Sequence, residues 1–238
     1  MLPPIEKKER NINMSKPKEK SIEKIVQEGL VSPTIDLTVD YAELALDSFL
    51  DNEVVKEIPI VKSVVGLVKG GLKVREIYFA KKLLAFLKEF HEGSLEPSKR
   101  IEFQSKFKED KKYRDSVVEQ IMILNERFLE IEKSKILANL FAAHINGKFD
   151  WENFCDLSVC LDNLHLRGVK LLHDLEKQEE PFYEGHNSGS EEEALLSGAG
   201  IVLRWGTHLR INGHGQYLYY YGIKGDIDFE FPKPKEKE

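Results

Sequence analysis

The chain has 238 residues with 41% hydrophobic, 10% aromatic and 32% charged content, which excludes wholesale disorder and an integral membrane protein. Thirty-five basic and 41 acidic residues give a net charge of −6, which argues against a protein built to coat nucleic acid. That total conceals an inversion: residues 56–88 hold eight Lys or Arg against two Glu, a local +6, so the remainder carries −12.

Residues 1–20 are Lys, Glu, Asn and Pro with little apolar content, which predicts a disordered tail and lacks the apolar stretch of a secretory signal. Over 39–50, Tyr41, Leu44, Ala45, Leu46, Phe49 and Leu50 recur at three- and four-residue intervals, the pattern of an amphipathic helix. Pro59 stands where a new helix can begin. Beyond it Lys62, Gly66, Lys69, Lys73 and Glu76 form one polar stripe, with Val61, Val64, Val65, Val68 and Leu72 on other sides. Gly70 and Gly71 each weaken that helix by about 1 kcal/mol relative to Ala, which suits a kink or a close crossing.

A helix over 74–91 carries Ile77, Tyr78, Leu83, Leu84, Leu87 and Phe90 and stops near Gly93. Ser98 can cap a helix through 108, and 111–131 is periodic in Val117, Ile121, Leu124 and Phe128. Helices over 133–145, ended by Gly147, and from Asp150 onward, with Phe154, Leu157, Leu161 and Leu164, lead into a last helical stretch to 177. Residues 39–178 therefore read as a multi-helix bundle domain.

Residues 179–190 contain Pro181, Gly185, Asn187 and Gly189 and read as a loop. Ser190 with Glu193 forms a capping box for a short helix, 201–205 and 208–211 are strand-like runs around Gly206, and Asn212 can cap a helix with Tyr217, Leu218 and Tyr221. The alternation of Ile227, Phe229 and Phe231 suggests a final strand. The fold class is mainly α, a bundle with a small α+β appendix over 190–231 and a second disordered tail over 232–238. Cys155 and Cys160, five apart in one helix, point roughly 140° apart, which argues against a mutual disulfide and for a reducing, cytoplasmic setting.

Two stretches resemble known proteins. The run Ile58-Pro59-Ile60-Val61, Gly66-Leu67, Lys69, Gly71-Leu72, Arg75-Glu76, Phe79 and Lys82-Leu83 resembles an uncharacterised family of bacterial helical proteins often found in mobile or prophage-like regions. That resemblance implies an antiviral-defence or conflict setting and names no reaction. Leu195 to Val202, with Leu209-Arg210-Ile211-Asn212 and Gly215, is similar to the closing half of winged-helix domains, with Asn212 where a capping Thr usually stands. Residues 191–238 nevertheless hold six basic and eight acidic groups, so nucleic acid is not the expected partner.

The seven histidines lack His-Glu-x-x-His or another zinc spacing, so no metal and no cofactor is expected. Arg167, five residues and His173 resemble the signature of the HEPN ribonucleases, in which those two side chains act on RNA; Gly168 departs from the polar residue usual after the Arg. For Lys62, Gly66, Lys69, Gly70, Lys73 and Arg75 three readings compete: a central bundle helix whose lysine tips reach solvent, which is the leading one; an interfacial helix on anionic lipid, which a basic stripe beside a broad valine face suits; or a contact with an acidic protein or nucleic-acid partner. The expectation is a non-enzymatic binding or regulatory protein whose partner is another protein or a second copy of the chain. A membrane-acting effector using 61–90 is the alternative, and a HEPN-like ribonuclease a weaker one.

Overall fold

The computed structural model describes residues 21–33, 35–45, 52–67, 74–177, 182–184 and 189–231. The tails expected at 1–20 and 232–238 lie outside them. The helical body begins earlier than residue 39: helix α1, Ile22–Val31, buries Ile25, Val26 and Leu30 at helical spacing. The helix expected from residue 39 does not form over 39–45, and 46–50 lie outside the described residues. Asp36 accepts from the Thr38 amide at 2.9 Å, and Asp40 accepts from the Ala42 amide at 3.0 Å. These side chains satisfy backbone donors locally and so stabilise turns against a helix. Tyr41 is fully buried here and donates to the Asp36 carbonyl at 2.8 Å.

Asn52 caps α2, Glu53–Glu57, and Pro59 opens α3, Pro59–Leu67, as its fixed φ allows. The long α4 is Val74–Glu92. Helix α5, Pro97–Glu109, starts on its proline, one residue before the expected Ser98 cap, and Asp110 caps α6, Lys111–Arg127, through the Tyr113 amide. Helix α6 stops four residues short of Ile131, because Phe128 turns extended and enters the core. Helices α7, Glu132–Ile145, and α8, Trp151–Asn163, follow, the latter capped by Asp150 as expected. A 3-10 turn, Leu166–Gly168, leads into α9, Val169–Glu176.

Helices α4 and α7 make the most extensive contact and form the centre. Phe141 of α7 lies 5.4 Å from the Phe90 ring of α4, 5.7 Å from Phe103 of α5 and 5.5 Å from Phe154 of α8, all between centroids. Cys155 and Cys160 are free thiols, both pushed up in pKa by burial.

The C-terminal part adds β1, Phe182–Glu184, α10, Glu191–Gly198, β2, Val202–Trp205, and β3, His208–Ile211. All pairing is antiparallel, in the order β1-β3-β2. Strand β1 falls in the stretch expected to be a loop, so the α+β part begins at or before Phe182. Helix α11, Gly213–Tyr217, continues into a π-helical turn, Leu218–Ile223. Residues 227–231 form no strand; their alternation serves ring packing, with Phe229 stacked 3.4 Å from Tyr220 and Phe231 edge-on to Tyr217 at 5.0 Å. Leu196, Ile201, Leu209 and Leu218 belong to the same continuous core as Leu137 and Phe141, so the appendix and the bundle share one interior. Among the described residues no helix is long and apolar enough to cross a membrane.

Truncating Phe141 to Ala should lower unfolding free energy by about 3–5 kcal/mol, read from the urea midpoint, because it empties the meeting point of four helices. Leu129→Ala, at a position 87% exposed, should stay within about 0.5 kcal/mol. Stability should also fall as pH drops. Burial lowers the pKa of His91, which donates to the Gly29 carbonyl, and of His144, which donates to the Phe149 carbonyl. The unfolded chain therefore binds protons first, near its ordinary value of about 6.5, and stability present above that pH is lost progressively below it. A denaturation series from pH 8 to pH 5 checks this, and His144→Phe should flatten the slope.

Candidate interaction surface

The basic segment is in large part spent on the fold. Ile58, Ile60 and Val61 are core residues, and Lys62 is exposed and paired with Glu57 at 2.6 Å. Gly66 lies in the last turn of α3, while Lys69, Gly70 and Lys73 lie outside the described residues. Arg75 is exposed and ion-paired with Glu126. Lys81 and Lys82 of α4, about 100° apart around the helix, are almost fully buried and donate to carbonyls of different segments, Lys81 to Leu44 and Lys82 to Glu126 and Phe128. Burial lowers the pKa of both lysines.

Arg167 and His173 are held by different elements. Arg167 pairs with Glu191 at 2.8 Å and Glu192 at 3.6 Å on α10. Gly168, the departure from the HEPN pattern, has a packing reason: a Cβ there would stand 2.7 Å from Leu196 Cδ2. His173 Nδ1 shares a hydrogen bond with the Tyr219 hydroxyl of the π-helical turn. Tyr219 and Tyr220 both donate to Glu176, at 3.4 and 2.9 Å, and Lys224 lies 3.5 Å from the same carboxylate. Burial, then the Glu176 carboxylate, pushes both phenols up to about 12, so they act as fixed neutral donors that lock α9 to the π-helical turn. Among the described residues no cluster of three or more His, Cys, Asp or Glu is arranged to hold a metal ion.

The surface that stands out is the outer face of the sheet. Register pairs Leu203 with Arg210 and Trp205 with His208, while Val202, Leu209 and Ile211 on the other face are buried. Period-two alternation therefore turns Leu203 and Trp205 outward together. They are 61% and 83% exposed. Trp205, Gly206, Thr207, His208 and Arg210 border a hollow of about 520 Å3. Strand order leaves β2 at the edge of the sheet, beside this face.

The support beneath is tight. Ser190 caps α10 through the Glu193 amide, and Glu193 accepts two hydrogen bonds from Arg204 of β2 and one from the Gly189 amide at 3.1 Å. The Arg204 hydrogen bonds lower the Glu193 pKa. Gly206 turns the hairpin at φ 61°, a left-handed conformation that favours glycine. Asn212 accepts from the Gly215 amide and donates to the Gly200 carbonyl, both at 2.8 Å. A Cβ on Gly215 would stand 2.1 Å from the Ile201 carbonyl oxygen.

Sequence reasoning identified both strands and missed this surface. Its signal was a Trp in the phase of the alternation opposite to Val202. No family model matches the chain, and neither the curated proteins nor the solved structures contain a match.

Trp205→Ala should change unfolding free energy by less than about 0.5 kcal/mol, because the ring packs on little of the fold. Gly215→Ala should cost about 1–3 kcal/mol by forcing backbone apart under the sheet. Parallel urea titrations measure both.

Proposed function

We propose that the protein is a non-enzymatic binding protein that captures a protein partner on the outer face of its sheet, with Trp205 as the anchor. The observation that carries this reading is the 83% exposure of Trp205 beside the 61% exposed Leu203, on a hairpin whose other face is core. Large apolar groups left in water lose free energy that association recovers, and tryptophan dominates many protein interfaces. Among the described residues β2 is an edge strand, whose main-chain donors and acceptors an extended partner segment can pair with.

Within the proposal, the order α9, β1, α10, β2, β3 with β3 central supports a winged-helix-like reading of this part. Its net charge of −2 over 191–238 and the Arg204–Glu193 pair favour protein over DNA as the ligand. The mobile-element or phage-defence setting that we propose rests on the sequence resemblance of 58–83. The ribonuclease alternative is weakened by the separate partners of Arg167 and His173.

A photo-crosslinking amino acid placed at position 205, in cells that express the chain natively, should yield a discrete adduct with another protein. The same group at position 129, where Leu129 is also exposed, is the control. Equal adducts at both positions, or none at 205, would overturn the proposal.

A further inference from the structure

A second surface lies along α6. Asp115, Val118, Glu119, Met122, Ile123 and Glu126 follow one another at steps of three, one, three, one and three, a single stripe down the helix. At 1.5 Å per residue that stripe is roughly 16 Å long. These residues form one side of a groove of about 420 Å3, with Glu23 and Gln27 of α1 on the other and Phe79 of α4 at its base. Ile123 is 44% exposed, and Met122 and Phe79 are half-buried, so the apolar floor is open to solvent. Four carboxylates rim it: Glu23, Asp115, Glu119 and Glu126.

Two of those charges are answered within the fold, Asp115 by Lys111 at 2.6 Å and Glu126 by Arg75. Glu23 and Glu119 are exposed and enter no ion pair among the described residues, and they stand on opposite walls. An apolar strip with carboxylates on both margins repels anionic lipid and suits a helix with an apolar face flanked by Lys or Arg. We propose that this groove is a docking site for a basic amphipathic helix of a partner protein, lying alongside α6. It is independent of the Trp205 face.

The probe is a fluorescein-labelled 14-residue helical peptide of Leu and Lys in amphipathic order, titrated with the full chain and read by anisotropy. Binding should weaken as salt rises, because the rim charges face water. Glu23→Lys with Glu119→Lys should weaken binding at least tenfold at low salt, while Glu102→Lys with Glu109→Lys, neither of which lines the groove, should change it less than threefold. A peptide with Glu in place of Lys should bind the Glu23/Glu119 double variant better than it binds the native chain, which tests the pairing even if that variant is less stable. Trp205→Ala should leave all of these affinities unchanged. No binding to the native chain, or equal loss in both double variants, would overturn the proposal. So would a groove that proves to be covered by a second copy, seen as a dimer that Glu23→Lys with Glu119→Lys dissociates while the peptide does not bind.

Discussion

The ring of Phe141 is the contact on which the rest of the structure depends. It lies within 6.4 Å of Phe86 and closer to Phe90, Phe103 and Phe154, so helices from three separate stretches of chain are held to α7 by a single side chain. Tilted and edge-on rings at these separations add to the burial itself. The same helix carries the C-terminal part: a Cβ on Gly222 would stand 3.0 Å from Ile136 and 3.2 Å from Leu140, so the π-helical turn lies directly on the next turns of α7. The π-helical turn is therefore seated on the bundle's central helix, while the sheet rests on α9, α10 and α11.

The lysines show how a charged sequence reaches this core. Lys82 donates to the Glu126 and Phe128 carbonyls at the end of α6, and Lys133 donates to the Asp162 carbonyl at the end of α8, 3.0 Å away. Helix C-termini leave carbonyls without partners and carry the negative end of the dipole, so a buried ammonium there answers both deficits. Lys81 and Lys88, seven residues apart on α4, hold the turns at 35–45 through the Leu44 and Leu37 carbonyls. The cost is desolvation, visible as lowered pKa values for Lys81, Lys82 and Lys133. The local charge of +6 over 56–88 is thus partly structural: three of its eight cations, Lys81, Lys82 and Lys88, tie segments together, and Lys62 and Arg75 sit in surface pairs.

What was legible in the sequence was whatever a few neighbouring residues decide. The caps at Asp150, Ser190 and Asn212 need only a side-chain oxygen and an amide three residues on, and all three form. Periodicity found α6 and α8, which each bury one broad face, and also α4 and α7, although these central helices are buried on nearly every side. It misled at 39–45, where aspartates offer the backbone a local alternative, and at 227–231, where the alternation answers to tyrosines on the π-helical turn. Strand β1 was hidden because three residues between turn-formers become a strand only when β3 is alongside. Both surfaces were illegible for a related reason. Which face of β2 meets the core depends on α10 and α11, and the groove takes its walls from helices about ninety residues apart in sequence.

An exposed Trp on an edge strand is also a hazard, since the same features that suit a partner suit aggregation. Arg204 answers this within the structure. It stands between Leu203 and Trp205 in sequence but on the opposite face of the strand, where its guanidinium is clamped to Glu193 of α10 and holds the strand down on its helix. The groove on α6 is guarded differently, by the carboxylates that rim its apolar floor. There the apolar strip is bordered by charge, which penalises association that does not answer that charge. A core residue gains from any apolar contact, whereas in the proposed groove Ile123 gains most from a partner that also answers the carboxylates beside it.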